Sequence, residues 1–474
     1  MRTTLTTANR AARGARSAGR HTTRTTRAVL AAVTASALAL TAAGCGGGGE
    51  GDGKDGESGG EGKSAVTVDL PKLKGEKLQV AAVWTGAEQK NFKAVLDEFE
   101  KRTGAEVSFV PTGDSISTFL GTKIEGGQPP DIALLPQVGA LKQFAAQGKL
   151  KPAGEEAQEQ LEKNFSQGWR DLGAHEGKQY GVYFKAANKS LVWYNTAAFE
   201  NAGVEEPGTW DEFLDTARTV SDSGVAPVSV GGADGWTLTD WFENVYLSQA
   251  GPEKYDQLAE HKIKWTDPSV KEALETLGEL FGDKTLIAGG PGGALQTEFP
   301  KSVTQTFAGG DAPEAAMVFE GDFVAVNITS DTEAKIGTDA KVFPFPAVGD
   351  ESPVVSAGDV AVALKDGKGP QALLTFLAST DAAEIWAKAG GFISPNKELD
   401  LKAYPDDVQR DIAKALIEAG DDFRFDMSDQ APASFGGTKG EGEWKALQDF
   451  LKNPDDVAGA QKRLEAEAAK AYKD

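Results

Sequence analysis

Along the first half of the chain the apolar positions alternate between two periods. Gln79 to Trp84 (QVAAVW) is a short apolar run that predicts a buried strand, and Phe92, Val95, Leu96 and Phe99 then recur at helical spacing. The pair repeats twice. Glu106–Pro111 (EVSFVP) alternates like a strand and is followed by a helical face of Ile116, Phe119, Leu120 and Ile124. Asp131–Leu135 (DIALL) reads as a third strand, with Val138, Leu141 and Phe144 lining a third helix. Repeated strand–helix units predict an α/β fold with a largely parallel sheet covered on both faces. Ligands of such sheets bind beyond the carboxyl ends of the strands, here at Trp84, at Asp114 and in the loop after Leu135.

The second half is patterned differently. Gly181 to Asn195 (GVYFKAANKSLVWYN) reads as one extended run leading into a new strand. Thr209-Trp210-Asp211-Glu212 is a capping box that opens a helix. Asp267-Pro268 starts another, with Val270, Leu274, Leu277 and Phe281 inward. Ala315–Phe319 (AAMVF) and Asp359–Leu364 (DVAVAL) are strand-like, and Lys341–Pro346 (KVFPFP) reads as an extended connector. From Glu443 the tail is helical, with Trp444, Leu447, Phe450 and Leu451 on one face.

The first 44 residues contain seven arginines and no lysine or acid, and Ala28–Ala43 is a run of apolar and small residues. That run is too short for a comfortable membrane span, which needs about 20 apolar residues, and it matches a secretory signal. Cys45, the only cysteine of the 474 residues, follows at once, which excludes an intrachain disulfide. Ala42-Ala43-Gly44-Cys45 resembles a bacterial lipobox, with Ala42 where that motif usually carries Leu. The resemblance implies cleavage before Cys45 and lipidation of its thiol. From Gly46 to Gly62 ten of seventeen residues are glycine, too little apolar area to fold and suited to a tether. Without the signal, 42 basic residues face 71 acidic ones, a formal charge of −29. Such a surface disfavours nucleic acid as a partner. Only two of the three histidines lie beyond residue 44, and with no HExxH and no cysteine pair they argue against a metal centre; no cofactor motif is present. About 400 residues after the tether predict two domains.

A set of segments, in this order, resembles the extracellular solute-binding proteins of bacterial sugar importers, the group that includes maltose-binding protein, nearest its α-glucoside branch. They are PPDIALLP (Pro129 to Pro136), KAANKSLVWYN (Lys185 to Asn195), PGTWDEFL (Pro207 to Leu214), GWTLTDWFE (Gly235 to Glu243), AAMVFEGDF (Ala315 to Phe323), VFPFPAV (Val342 to Val348), AGDVAVAL (Ala357 to Leu364), GGFISPNK (Gly390 to Lys397) and FDMSDQAPASFG (Phe425 to Gly436). The resemblance implies an α/β, two-lobed, periplasmic-binding-protein-like (type II) fold with a ligand cleft between the lobes. Crossings between lobes map to Phe184–Lys189, Ala347–Ser356 and Phe392–Lys397. Residues 1–44 would then be signal and 45–76 lipidated cysteine and tether. Residues 77–187 with 356–396 would form one lobe, and 188–355 with 397–474 the other. The implied role is non-enzymatic: a monomer held by lipid on the outer face of the cytoplasmic membrane captures an oligosaccharide and passes it to permease subunits of an ABC importer.

A pyranose offers an apolar C–H face suited to aromatic rings and hydroxyls suited to carboxylates, amides and lysines. Pairings of this kind nominate Trp84 with Glu88, Asp114, Lys185, Asn188, Trp236 with Asp240 and Trp241, Glu320 with Phe323, Asp359, Phe392, and Phe425 with Asp426 and Asp429. Each has a structural competitor. Trp84 ends a buried strand, Asp114 and Asp240 could cap helices, and the remaining acids could serve turns. Lys185 could be a solvated charge at a crossing. Two other readings stay open at this point: an exported glycoside hydrolase, since a carboxylate pair suffices for that chemistry, and a carbohydrate sensor of the same shape.

Overall fold

The computed structural model describes residues 67–419 and 423–473; the expected signal, Cys45 and the glycine-rich stretch lie outside the described residues. The last residues of the stretch expected as a tether, 45–76, are part of the folded chain. Val68 N–H donates to the Asp381 carboxylate at 3.1 Å, and Leu73 is buried in the first core.

Strands β1 (Lys77–Ala82), β2 (Glu106–Pro111) and β3 (Ile132–Leu135) run parallel with β1 central, each followed by a helix. A hairpin of β4 (Ala174–His175) and β5 (Lys178–Gln179) precedes β6 (Gly181–Asn188). The long extended run divides there. β7 (Leu191–Asn195) belongs to a second sheet, which it forms with β8 (Ala226–Ser229), β9 (Ala315–Glu320) and β10 (Ala340–Pro344) in the order β10-β7-β9-β8. The chain then returns as β11 (Val355–Ala363), antiparallel to both β3 and β6, and β12 (Arg424–Phe425) pairs with its start. The first sheet is therefore mixed, because β11 re-enters from the second lobe against the direction of β3. The expected connector at Lys341–Pro346 is an edge strand; Phe343 is buried and Pro344, which cannot donate, stands at its end. The two helix starts follow their sequence signals, with the Thr209–Glu212 capping box complete and Asp267 accepting from Ser269 N–H.

Three crossings join the sheets and run side by side. The first is Lys189-Ser190, the second the stretch from β10 to β11, and the third lies at Asp426, directly after β12. Lys189 N–H donates to Val355 O at 2.9 Å, Val355 N–H to Ser190 Oγ at 2.9 Å, and Asp426 N–H to Ser356 O at 2.7 Å. The third crossing thus falls well after the expected 392–397. Phe392 packs between Phe184 and Trp386, and Leu399, Tyr404, Ile412 and Leu416 enter the core of the first sheet. Residues 397–419 and 423–425 stay with the first lobe because that apolar face and the β12 edge hold them there. Only from Met427 do Ala431, Phe435 and the last two helices join the second core.

Candidate functional site

A cavity of about 560 Å³ lies between the two sheets and takes its lining from both lobes. From the first lobe, the carboxyl ends of the three parallel strands deliver Trp84, Asp114 and the Pro136-Gln137 turn. Strand β6 adds Lys185, and β11, in register with it, adds Asp359. From the second lobe come Trp236, the first residue of the helix Trp236–Ala250, with Phe299, Phe323, Asp429, Lys439 and Trp444. A second cavity of about 720 Å³ lies wholly within the second lobe, between Gly289–Gly292 and Lys452–Asp455, and offers none of these rings.

Three aromatic rings form an apolar wall. Trp236 has its ring centroid 5.4 Å from Phe299 and 6.0 Å from Phe323, and these two lie 5.4 Å apart in a T-shaped pair. Trp84 is different. Its ring is wedged at 4.7 Å against both Phe92 and Trp386 and is only 2% exposed, so it closes the floor and presents little of its face.

Two lysines four residues apart organise the charge. Lys185 Nζ donates to Glu88 at 2.5 Å and sits 5.4 Å over the Phe323 ring. Burial alone would lower its pKa, but Glu88, Asp359 and Asp322 outweigh burial and raise it, so the ammonium persists. Asp359 is pushed up to about 6, first by burial and then by Glu88, against Lys185, Lys189 and the Trp84 indole N–H. Lys189 Nζ reaches Asp426 at 2.5 Å and Asp240 at 3.1 Å and stands 5.4 Å over the Trp236 ring. Here too burial opposes the charge, but Asp240 and Asp426 lead the groups that raise the lysine well above its ordinary value.

Of the nominated residues, Trp84, Glu88, Asp114, Lys185, Trp236, Phe323, Asp359 and Asp429 line this cavity. The others do not. Trp241 is enclosed by Phe319, Phe345 and Trp210 in the second core, and Phe392 by its aromatic neighbours in the first. Phe425 packs on Tyr183 and Trp169. Asn188 is a crossing residue: its N–H donates to Asp322 and its side chain accepts from Ser190 N–H. Asp426 caps the short helix Met427–Gln430 while it pairs with Lys189. Asp240 and Glu320 are buried carboxyls behind the wall, and both oxygens of Glu320 and one of Asp240 have no hydrogen-bond partner. Burial raises both, Asp240 to about 7 and Glu320 well above its ordinary value.

Sequence reasoning passed over Lys189, Phe299, Lys439 and Trp444. Glu298-Phe299 carries the same acid–aromatic signature used for the other segments. Lys189 lies an even number of residues beyond Lys185 on an extended run, a spacing that puts both side chains on one face. Trp444 reads as core because its helix is amphipathic; its indole N–H is buried with no hydrogen-bond partner.

The family profile described as bacterial extracellular solute-binding protein matches residues 84–384, which holds most of this site. The chain belongs to that family. It is 34% identical over 388 residues to the osmoprotective compounds-binding protein GgtB of Synechocystis sp., covering 80% of this chain and 90% of the relative. It is 31% identical to the alpha-glucosides-binding periplasmic protein AglE of Rhizobium meliloti, covering 82% and 87%. Among solved structures, the bacterial solute receptor AcbH aligns with a TM-score of 0.73 at 21% identity, over 84% of this chain and 99% of that one. Maltose-bound T. maritima MalE3 aligns at 0.66 and 18%, over 82% and 99%. The two-lobed type II fold is common to these receptors and this chain. No helix among the described residues is long and apolar enough to cross a membrane.

Proposed function

We propose that this chain captures an uncharged α-glucoside of disaccharide to short-oligosaccharide size in the interlobe cavity and delivers it, unmodified, to the permease of an ABC importer. The observation that carries the reading is the wall of Trp236, Phe299 and Phe323 opposite the polar edge of Asp359, Lys185 and Glu88, within one cavity shared by both lobes. Rings of this kind suit the C–H face of a pyranose, and the charged groups suit its hydroxyls. The cavity volume is in the range of small-ligand sites. The names of the two sequence relatives support a glucoside or a compatible solute as cargo.

Thermal melts with maltose, sucrose and trehalose test this, with product analysis after incubation. A true ligand at ~100 times its dissociation constant adds about 2.7 kcal/mol of stability. Trp236→Ala is expected to abolish that shift and to leave the unliganded melt nearly unchanged, since the ring is only partly buried. Cleavage of the sugar would support a hydrolase instead and overturn the reading.

The anchor is part of the same proposal. Cys45 carries lipid and holds the domain at the outer face of the membrane, because several acyl chains anchor where one does not. Cys45→Ala is expected to move the exported protein from the membrane fraction to the medium; an unchanged distribution would remove the anchor from the proposal.

A further inference from the structure

Lys439 reaches from one lobe to the other. It lies in the loop between the helices Ala433–Gly436 and Gly442–Lys452, whose Phe435, Ala446 and Leu447 belong to the second core. Its ammonium donates to Asp234 at 3.0 Å in its own lobe and to Asp114 at 3.3 Å in the first lobe. Asp234 is a fixed post: it is buried, and its other oxygen accepts Phe299 N–H at 2.7 Å. Asp114 stands in the turn Gly113–Ser115 after β2. All three line the cavity. The loop is fitted to the first lobe, since a Cβ on Gly437 would come within 3.0 Å of the Gln137 side chain. Around Asp114, burial together with Asp234 and Glu298 disfavours the charged carboxylate and holds it above its ordinary value, and Lys439 offsets them only in part. Without that ammonium, like charges would face one another where the lobes meet.

Backbone bonds at the three crossings survive any rigid swing of the lobes. The Asp114–Lys439 pair does not, because its two ends belong to different lobes. We propose that Lys439 is a positioning residue for closure: carried on Asp234, it latches Asp114 and so sets the balance between open and closed lobes, and through it the affinity for sugar. Only the last clause rests on the sugar-binding reading above.

The test measures the interlobe distance in the full chain without ligand, with spin labels at Glu125→Cys and Lys301→Cys in a Cys45→Ser background. Lys439→Gln is expected to lengthen the distance, because the acids then repel unrelieved. Asp114→Asn alone removes both the pair and the repulsion and is expected to open the lobes less. The double variant is expected to resemble Asp114→Asn, a non-additivity that a merely structural lysine would not produce. With maltose as probe, Lys439→Gln is expected to weaken binding about two- to five-fold at low salt, the range of a partly exposed ion pair, and less in ~1 M salt. Unchanged distances in Lys439→Gln, or a double variant as open as that single one, overturn the latch. A loss of affinity without a change in distance also overturns it, and makes Lys439 a direct ligand contact. If the wild type binds no maltose, that choice of sugar fails while the distances still decide the latch.

Discussion

At the residue scale, Lys189 governs more of the site than any nominated residue. It is the cation beneath Trp236, and it neutralises Asp426 and Asp240 where the first and third crossings touch. Asp426 is held below its ordinary value despite burial, because Lys189 and the N–H of Asp429 hold its charged form. Removing one partner of a buried pair leaves an uncompensated charge, at a cost of about 3–5 kcal/mol. Lys189→Met is therefore expected to lower unfolding stability by on the order of 3 kcal/mol at pH 7.5, read by chemical denaturation. The loss should be smaller near pH 5, where Asp240 takes up a proton. An equal loss at both pH values would mean that the lysine matters for packing and not for charge. The even spacing from Lys185 marks the face of this residue but not its weight, which comes from acids 51 and 237 positions away.

At the element scale, legibility followed period and failed at chain reversals. The parallel units built on β1, β2 and β3 stand where their apolar spacing placed them, because each strand and helix is patterned over its own few residues. The cavity contacts at Trp84, Asp114 and Gln137 were accessible for the same reason: strand ends are local features. The third crossing was not. Residues 397–425 carry nothing that says which core accepts Leu399, Tyr404 and Leu416, and the deciding edge of β11 is remote in sequence. The acid–aromatic signature had a similar limit. It reads Trp236 and Trp241 alike, but these lie five residues apart on one helix, and the turn of the helix points the first at the cavity and the second into Phe319 and Phe345. Gly139 shows the same dependence on distant partners: a Cβ there would meet Ala431 O at 1.9 Å, an approach visible only once the lobes are assembled.

At the scale of the whole molecule, an unusual number of acids are sealed inside, and they set a sign for the response to pH. Burial raises Asp240 and Asp322 to about 7 and Asp359 to about 6, and it lifts Glu243, Glu320, Asp429 and Glu443 well above their ordinary values. An unfolded carboxyl titrates near ~4, so between about pH 4 and 7 the folded chain holds more protons than the unfolded one. Stability then falls as pH rises through that window, at up to ~1.4 kcal/mol per pH unit for each proton of difference. The opposite group, Asp426, Asp267 and Asp283, has lowered values and contributes stability that is lost only as pH falls below about 4. The two trends place the optimum on the mildly acid side of neutrality. Denaturation midpoints at pH 5, 6.5 and 8 are expected to decrease in that order. Asp322→Asn should flatten the slope, because an amide in its place has no proton to lose while it can still accept from Asn188 N–H. Midpoints that rise from pH 5 to 8 would mean that these carboxyls are ionised and paired in the folded chain.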